Sequence, residues 1–352
     1  MDSGPRRPTM LSRIAEHLYW MARYLERSED MARLINATTL LLLDLPPKAE
    51  FGWDILLRIA GIAELYETRY GNLDEQRIMG FLIADERNPS AIVSCIHQAR
   101  ENSRTFREIL PSEFWERLNS LFLFVRDYAS ASIGNRHDRY AFLSEVIARR
   151  HALVGLLVGT MSQDAAYQFV KLGRNMERAD MTTRIVDVTT AVILPQRDKL
   201  QATLSESLWI GVLRAMSAFE MYRRHVSVEV RGNEVVEFLI RDRKFPRTVY
   251  HCLGEMEVAL ATLPANSAAQ GALRRGRKRL DQLDLADLNS AVLHEYLDHL
   301  QQDLGSIHRV IHRQYFDPLH RDGSTEDAVA RGLADESPGP LATTQFQQHA
   351  AF

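Results

Sequence analysis

Arg23-Tyr24-Leu25-Glu26-Arg27-Ser28-Glu29 and Arg174-Asn175-Met176-Glu177-Arg178-Ala179-Asp180 are one seven-residue pattern written twice. The match extends outward in register, so that residues 15–39 recur at 166–190 with a constant offset of 151. Under that offset Ala15, Arg23, Glu26, Arg27, Arg33, Thr38 and Thr39 meet identical residues, Arg33 finding Arg184. Leu25/Met176, Glu29/Asp180, Leu34/Ile185 and Ile35/Val186 are near matches. Around the first copy, Ile14, Leu18, Met21, Leu25, Ala32 and Ile35 follow the spacing of one helix face. The segment reads as a helix from Ser12, an N-capping residue, to about Leu45, where Pro46-Pro47 stops it. At 100° per residue, Glu26, Arg27, Asp30 and Arg33 fall within about 60–80° of Arg23, opposite the apolar face.

The helical signal continues outward in both directions. Further helices are predicted near 51–69, 74–84, 90–110, 112–130, 139–160, 163–193, 204–222, 234–241, 246–263, 268–281 and 285–315. Breakers separate them: Gly71-Asn72, Asn88-Pro89, Pro111, Gly134-Asn135, Pro195, Gly232-Asn233, Pro246 and Pro264. Val226 to Val230 is the one β-like piece and reads as a lone extended loop. The expectation is an all-α protein, a single large bundle of about a dozen helices over 10–317. The 151-residue offset suggests two related halves, about 10–160 and 161–317, each with one long Arg/Glu helix. Residues 1–9 read as a disordered leader, and the polar 318–352 as a disordered tail unable to offset its ordering entropy.

Composition narrows the function. A formal net charge of −3 argues against a dedicated nucleic-acid binder. The basic run Arg274-Arg275-Gly276-Arg277-Lys278-Arg279 reads as a solvated helix face. Two cysteines, Cys95 and Cys252, exclude a disulfide framework and fit the cytoplasm. No apolar run reaches the roughly 20 residues that span a bilayer, and the first nine residues lack the apolar stretch of a signal peptide.

Nucleotide, metal and nucleophile signatures are missing as well. There is no Gly-x-Gly-x-x-Gly or Gly-x4-Gly-Lys-Ser/Thr, so the chain is not expected to bind a nucleotide alone. No Glu-x-x-His supports a di-iron bundle. His294 and His299 miss the zincin spacing by one residue, although Glu295/His299 and His308/His312 each share a helix face. No Gly-x-Ser-x-Gly elbow occurs. The expected cofactor and metal content is none.

The repeated charges remain. Taken singly, each stripe is a solvated face held by i,i+4 pairs such as Glu29–Arg33 and Asp180–Arg184. A solvated face has no reason to repeat Arg23/Arg174 and Glu26-Arg27/Glu177-Arg178 while its flanks diverge. If the two helices face each other, each Glu can accept from an Arg of its partner, and such pairs tolerate partial burial. Tyr19, Trp20 and Tyr24 lie beside the first stripe as packing or as the floor of a pocket.

The stretch Met10 to Asp30 resembles the bacterial alpha-E family, an all-helical family named for its Glu-Arg motif. Leu172 to Thr183 is similar to its second signature, and Arg100 to Arg104, Arg107-Glu108, Trp115-Glu116 and Phe238 to Arg247 match further pieces. The similarity covers roughly residues 10–315. It implies a part in an ATP-dependent amide- or peptide-forming system, since such proteins occur beside or fused to a circularly permuted ATP-grasp ligase. Carried over residue by residue, it implicates Glu26, Arg27, Glu177 and Arg178, with Arg23 and Arg174 beside them.

Three readings stand at this stage. In the first, the chain is a non-catalytic partner that docks the ligase or presents a peptide or amino acid. Arg23, Glu26, Arg27, Arg33, Arg174, Glu177, Arg178 and Arg184 would then grip an anionic or zwitterionic group. In the second it is an enzyme with Glu26 or Glu177 as general base. In the third the motifs only lock two half-bundles together.

Overall fold

The computed structural model describes residues 12–44, 52–193, 199–282 and 290–317, so the predicted leader and tail lie outside the described residues. Fourteen α-helices occupy the described residues. In the first part of the chain they are α1 Ser12–Asp44, α2 Asp54–Ala60, α3 Ala63–Glu67, α4 Glu75–Ile83, α5 Ile92–Arg104, α6 Ser112–Tyr128 and α7 Arg136–Thr160. Then follow α8 Ala165–Ile193, α9 Lys199–Ala215, α10 Phe219–His225, α11 Gly232–Arg241, α12 Val249–Ala261, α13 Ser267–Asp281 and α14 Ser290–Ile311. A π-helical turn, His312–Phe316, extends the last helix. No strand occurs among the described residues, and the segment from Val226 to Val230 is a loop, so the fold is all-α.

Local chemistry sets the boundaries. The Asp74 carboxylate accepts from the Arg77 backbone N–H at 2.9 Å to start α4, and Asn135 accepts from His137 and Asp138 to start α7. Two predicted helices are each broken once. The segment 51–69 divides because Gly61 takes a left-handed φ of 68° and ends α2. The segment 204–222 divides at Ser217, whose φ of 52° interrupts the helix between α9 and α10. Neither break has a proline to announce it. The helix expected from 246 begins at Val249, with Thr248 capping it through the His251 N–H.

The two long helices are the centre of the molecule. α1 packs on α5, α7, α8 and α9, while α8 packs on α12, α14, α1 and α2. α5–α6–α7 and α12–α13–α14 each pack in sequence. Advancing every helix by seven therefore carries one set of contacts onto the other.

α1 and α8 run parallel, as their contacts show by rising together in number. The Tyr19 carbonyl lies against Gly173, Arg23 meets Glu177, and Leu34, Thr38, Ile185 and Thr189 line one apolar cavity further along. The approach at Gly173 is close enough that a Cβ there would sit 2.1 Å from the Tyr19 oxygen. From Met21 to Glu26 every residue of α1 is buried, which is nearly two turns and so includes every face. The charged stripe, which a single copy would place on a solvated face and whose burial the duplication left open, lies inside, because helices pack on the charged side of α1 as well as on its apolar side.

A buried arginine–carboxylate cluster as the candidate functional site

Parallel packing with a register of about 151 sets each copy of the motif opposite the other. Glu177 accepts from Arg23 Nε at 2.6 Å and Arg27 Nε at 2.5 Å, both on α1. Reciprocally, Glu26 accepts from Arg178 Nε on α8 at 2.7 Å. Within each helix the same step down the chain repeats, with Arg33 on Glu29 at 2.7 Å and Arg184 on Asp180 at 3.0 Å. Arg23, Glu26 and Glu29 have no solvent exposure, and Glu177 has 2%.

Two further arginines complete the cluster. Arg150 of α7 places Nη2 against Glu26 and Nη1 2.5 Å from Glu29. Arg247, just before α12, puts Nη1 2.6 Å from Asp30 and 3.1 Å from Glu26, and Nη2 2.6 Å from Glu29. Its backbone is fixed by the Thr182 hydroxyl, which donates to the Arg247 carbonyl at 2.8 Å. His151, on the exposed side, reaches Glu29 at 3.1 Å.

Neither arginine was named as a site residue from sequence. Arg150 had a legible signal: it shares the apolar register of Leu143, Val146, Leu153 and Leu157, where a lone cation has no reason to be unless a carboxylate meets it. Arg247 belongs to a second, weaker internal repeat outside the Glu-Arg helices. At an offset of 157, Phe81, Leu82, Ile83, Asp85, Pro89 and Cys95 recur as Phe238, Leu239, Ile240, Asp242, Pro246 and Cys252. Both cysteines donate their thiol to the carbonyl of the proline six residues earlier. Ser90 stands where the second copy has Arg247.

The electrostatics follow from crowding in a dry place. Burial alone would raise Glu177, but Arg27 and Arg23 hold it at about 2. Burial opposes ionisation of Glu29 as well, and Arg247, His151 and Arg33 outweigh it, giving about 2. Asp30 goes the other way, to about 6, because burial dominates, Glu29 is beside it, and Arg247 is shared among three carboxylates. For Arg150, burial and Arg178, Arg247 and Arg174 all weigh against its charge, while Glu26 and Glu29 hold it; a guanidinium stays protonated throughout. Burial pushes both thiols up to about 12, so they are neutral and unreactive.

All eight sequence-predicted site residues lie on α1 and α8, and seven of them sit in this network. The exception is Arg174, which has no carboxylate at ion-pair distance among the described residues, while its Nε is buried without a hydrogen-bond partner. Arg23, Arg27, Arg33, Arg150, Arg178, Arg184 and Arg247 pair with Glu26, Glu29, Asp30, Glu177 and Asp180, and Arg174 stands beside Arg178 outside these pairs, so arginine is in excess. A carboxylate held near 2 is a poor proton acceptor at neutral pH, which weighs against Glu177 as a general base.

Outside the cluster, Tyr19 donates to or accepts from His308 Nδ1 at 2.9 Å within the core. Arg277 and Arg279 of the basic run are taken up by Glu257 and by Asp303 at 2.6 Å, so these two side chains are not free on a solvated face. His294 pairs with Asp187 at 2.6 Å and lies near Asp298, the one grouping with metal-ligand spacing among the described residues.

A family model described as "a predicted alpha-helical domain with a conserved ER motif" matches residues 10–316. The chain belongs to the Alpha-E family. In this Alpha-E chain the Glu-Arg dipeptides are Glu26-Arg27 and Glu177-Arg178, the four residues at the centre of the cluster. Uncharacterized proteins of Mycobacterium bovis and Mycobacterium tuberculosis are 21% identical to it over 290 residues, covering 77% of this chain and 32% of theirs. The Alpha-E chain thus spans about a third of the length of these curated relatives. No solved structure matches it at a significant level. Among its described residues no helix is long and apolar enough to cross a membrane.

Proposed function

We propose that this chain is the non-catalytic, substrate-presenting partner of a cytoplasmic ATP-grasp-type ligase that forms amide or peptide bonds. It would be built from two related halves, about 10–160 and 161–317, closed on each other by the repeated Glu-Arg helices. The observation that carries the reading is the surplus of arginine over carboxylate in a largely buried cluster. A purely structural lock needs only balance, whereas unspent guanidinium suits an anionic or zwitterionic group arriving from outside. Family membership supports an ATP-grasp association through the resemblance already described. The greater length of the relatives is compatible with an Alpha-E unit that works alongside further polypeptide. Two free, buried cysteines fit a reducing compartment.

A structural role is favoured for most of the motif by its saturation, since seven of the eight residues first singled out already have partners. Lock and presentation coexist on this account. The test is ATP turnover and amide formation by the cognate ATP-grasp protein with this chain absent, present, or carrying Glu26→Gln with Glu177→Gln. Circular dichroism must first show that the double variant is folded. Activity that needs the native chain supports the proposal. A ligase with the same rate and products in its absence overturns it.

A further inference from the structure

The seven-helix step pairs most members of the cluster, and the correspondence fails at Asp30/Met181, Arg247/Ser90 and Arg150/Leu304, of which the last bears on Glu26 and Arg174. Arg23 and Arg27, one turn apart on α1, hold the two oxygens of Glu177. Their counterparts Arg174 and Arg178, one turn apart on α8, have Glu26 as the corresponding carboxylate, and only Arg178 reaches it. Arg150 occupies the remaining Glu26 oxygen. An offset of 154 aligns Leu143, Val146, Leu153 and Leu157 of α7 with Leu297, Leu300, Ile307 and Ile311 of α14, and the position matching Arg150 is Leu304. The first half therefore carries an arginine that the second lacks, and it takes the place Arg174 would have had.

Arg174 is left half-buried, with Arg178, Tyr167 and Cys252 as neighbours. Burial and the Arg178 charge both disfavour its own charge, Tyr167 and the more distant Glu255, itself paired with Lys171, favour it, and no carboxylate lies at ion-pair distance among the described residues. On α1 the same two-arginine spacing already grips a planar carboxylate by two Nε–H donors. We infer that Arg174 and Arg178, with Tyr167 beside them, form a subsite for the carboxylate of an amino-acid or peptide ligand, entering where Glu26 would lie if Arg150 were absent. This rests on the presentation reading above and sharpens it, since of the eight arginines Arg174 is given to the ligand alone, Arg178 is shared between the ligand and Glu26, and the rest carry the fold.

The experiment is calorimetric titration of the full chain with L-glutamate, a glutamate-ending dipeptide and inorganic phosphate, alongside thermal melts. The proteins are wild type, Arg174→Met, Arg174→Lys, and Arg23→Met as the paired counterpart. Carboxylates are expected to bind the wild type, with Kd at least tenfold weaker in Arg174→Met and intermediate in Arg174→Lys, which keeps charge without the fork. Arg174→Met should melt at or above the wild-type temperature, and Arg23→Met several degrees below it. Unchanged carboxylate affinity in Arg174→Met overturns the inference. So does no carboxylate binding to wild type, a preference for phosphate, or an Arg174→Met melt as low as that of Arg23→Met. If the ligase ignores this chain while Arg174-dependent binding persists, the subsite stands and the ligation reading falls. If the ligase needs the chain and Arg174→Met binds normally, the reverse holds.

Discussion

Glu177 shows how two neighbours decide the state of a buried group. Its carboxylate is out of water, which would normally favour the neutral acid, yet two Nε–H donors at 2.5 and 2.6 Å keep it ionised. Replacing it by Gln leaves Arg23 and Arg27 in place with no negative charge between them. We expect Glu177→Gln to lose about 3–5 kcal/mol in denaturant unfolding, the usual cost of breaking one side of a buried pair. The solvent-facing control Glu113→Gln, which breaks an exposed i,i+4 pair with Arg117, should change stability by less than about 0.5 kcal/mol. Equal effects at the two sites would remove the case for a buried lock. At this scale repetition in the sequence singled out Glu26 and Glu177, which the structure places in one buried cluster. It could not show that they were dry, because charges opposite an apolar stripe are the ordinary signature of an exposed helix face.

Among elements, the α1–α8 pair depends on a contact that has no side chain on one partner. Gly173 admits the Tyr19 carbonyl, and a Cβ would approach it at 2.1 Å. Gly173→Ala should therefore push the helices apart, lengthen the Arg23–Glu177 and Arg178–Glu26 pairs together, and cost more than the about 1 kcal/mol that Ala normally gains over Gly in a helix. A variant as stable as the wild type or more so would show that the helices do not cross so closely. Both long helices were legible from their period of apolar residues, and the breaks at Gly61 and Ser217 were not. A single glycine or serine inside a periodic stretch does not reveal its φ. Arg150 and Arg247 escaped because they arrive from α7 and from the loop before α12, and a motif search along α1 and α8 does not see across the bundle.

For the whole molecule, the cluster writes a pH profile. Glu29 and Glu177 titrate near 2 when folded and near 4.5 when not, so the unfolded chain binds more protons between those values and stability falls as pH drops through that window. Asp30 titrates near 6 when folded against 3.8, so the folded chain binds more protons there and stability falls as pH rises from about 4 through 6. His294, raised by Asp187, adds to the loss on the alkaline side. Stability should therefore peak near pH 4 to 5 in denaturant midpoints taken at fixed ionic strength, and Asp30→Asn should flatten the alkaline limb. A wild-type curve rising steadily to pH 7 would contradict this balance.

The duplicated motif joins two parallel helices as one charge lock. A double-mutant cycle on Arg23→Met and Glu177→Leu measures it directly. Each single change should cost on the order of 3–5 kcal/mol, and the double less than their sum, because Arg23 and Glu177 no longer strand each other and only Arg27 is left without its carboxylate. Costs that add within about 0.5 kcal/mol would mean that Arg23 and Glu177 stabilise the fold independently, and the lock would be refuted.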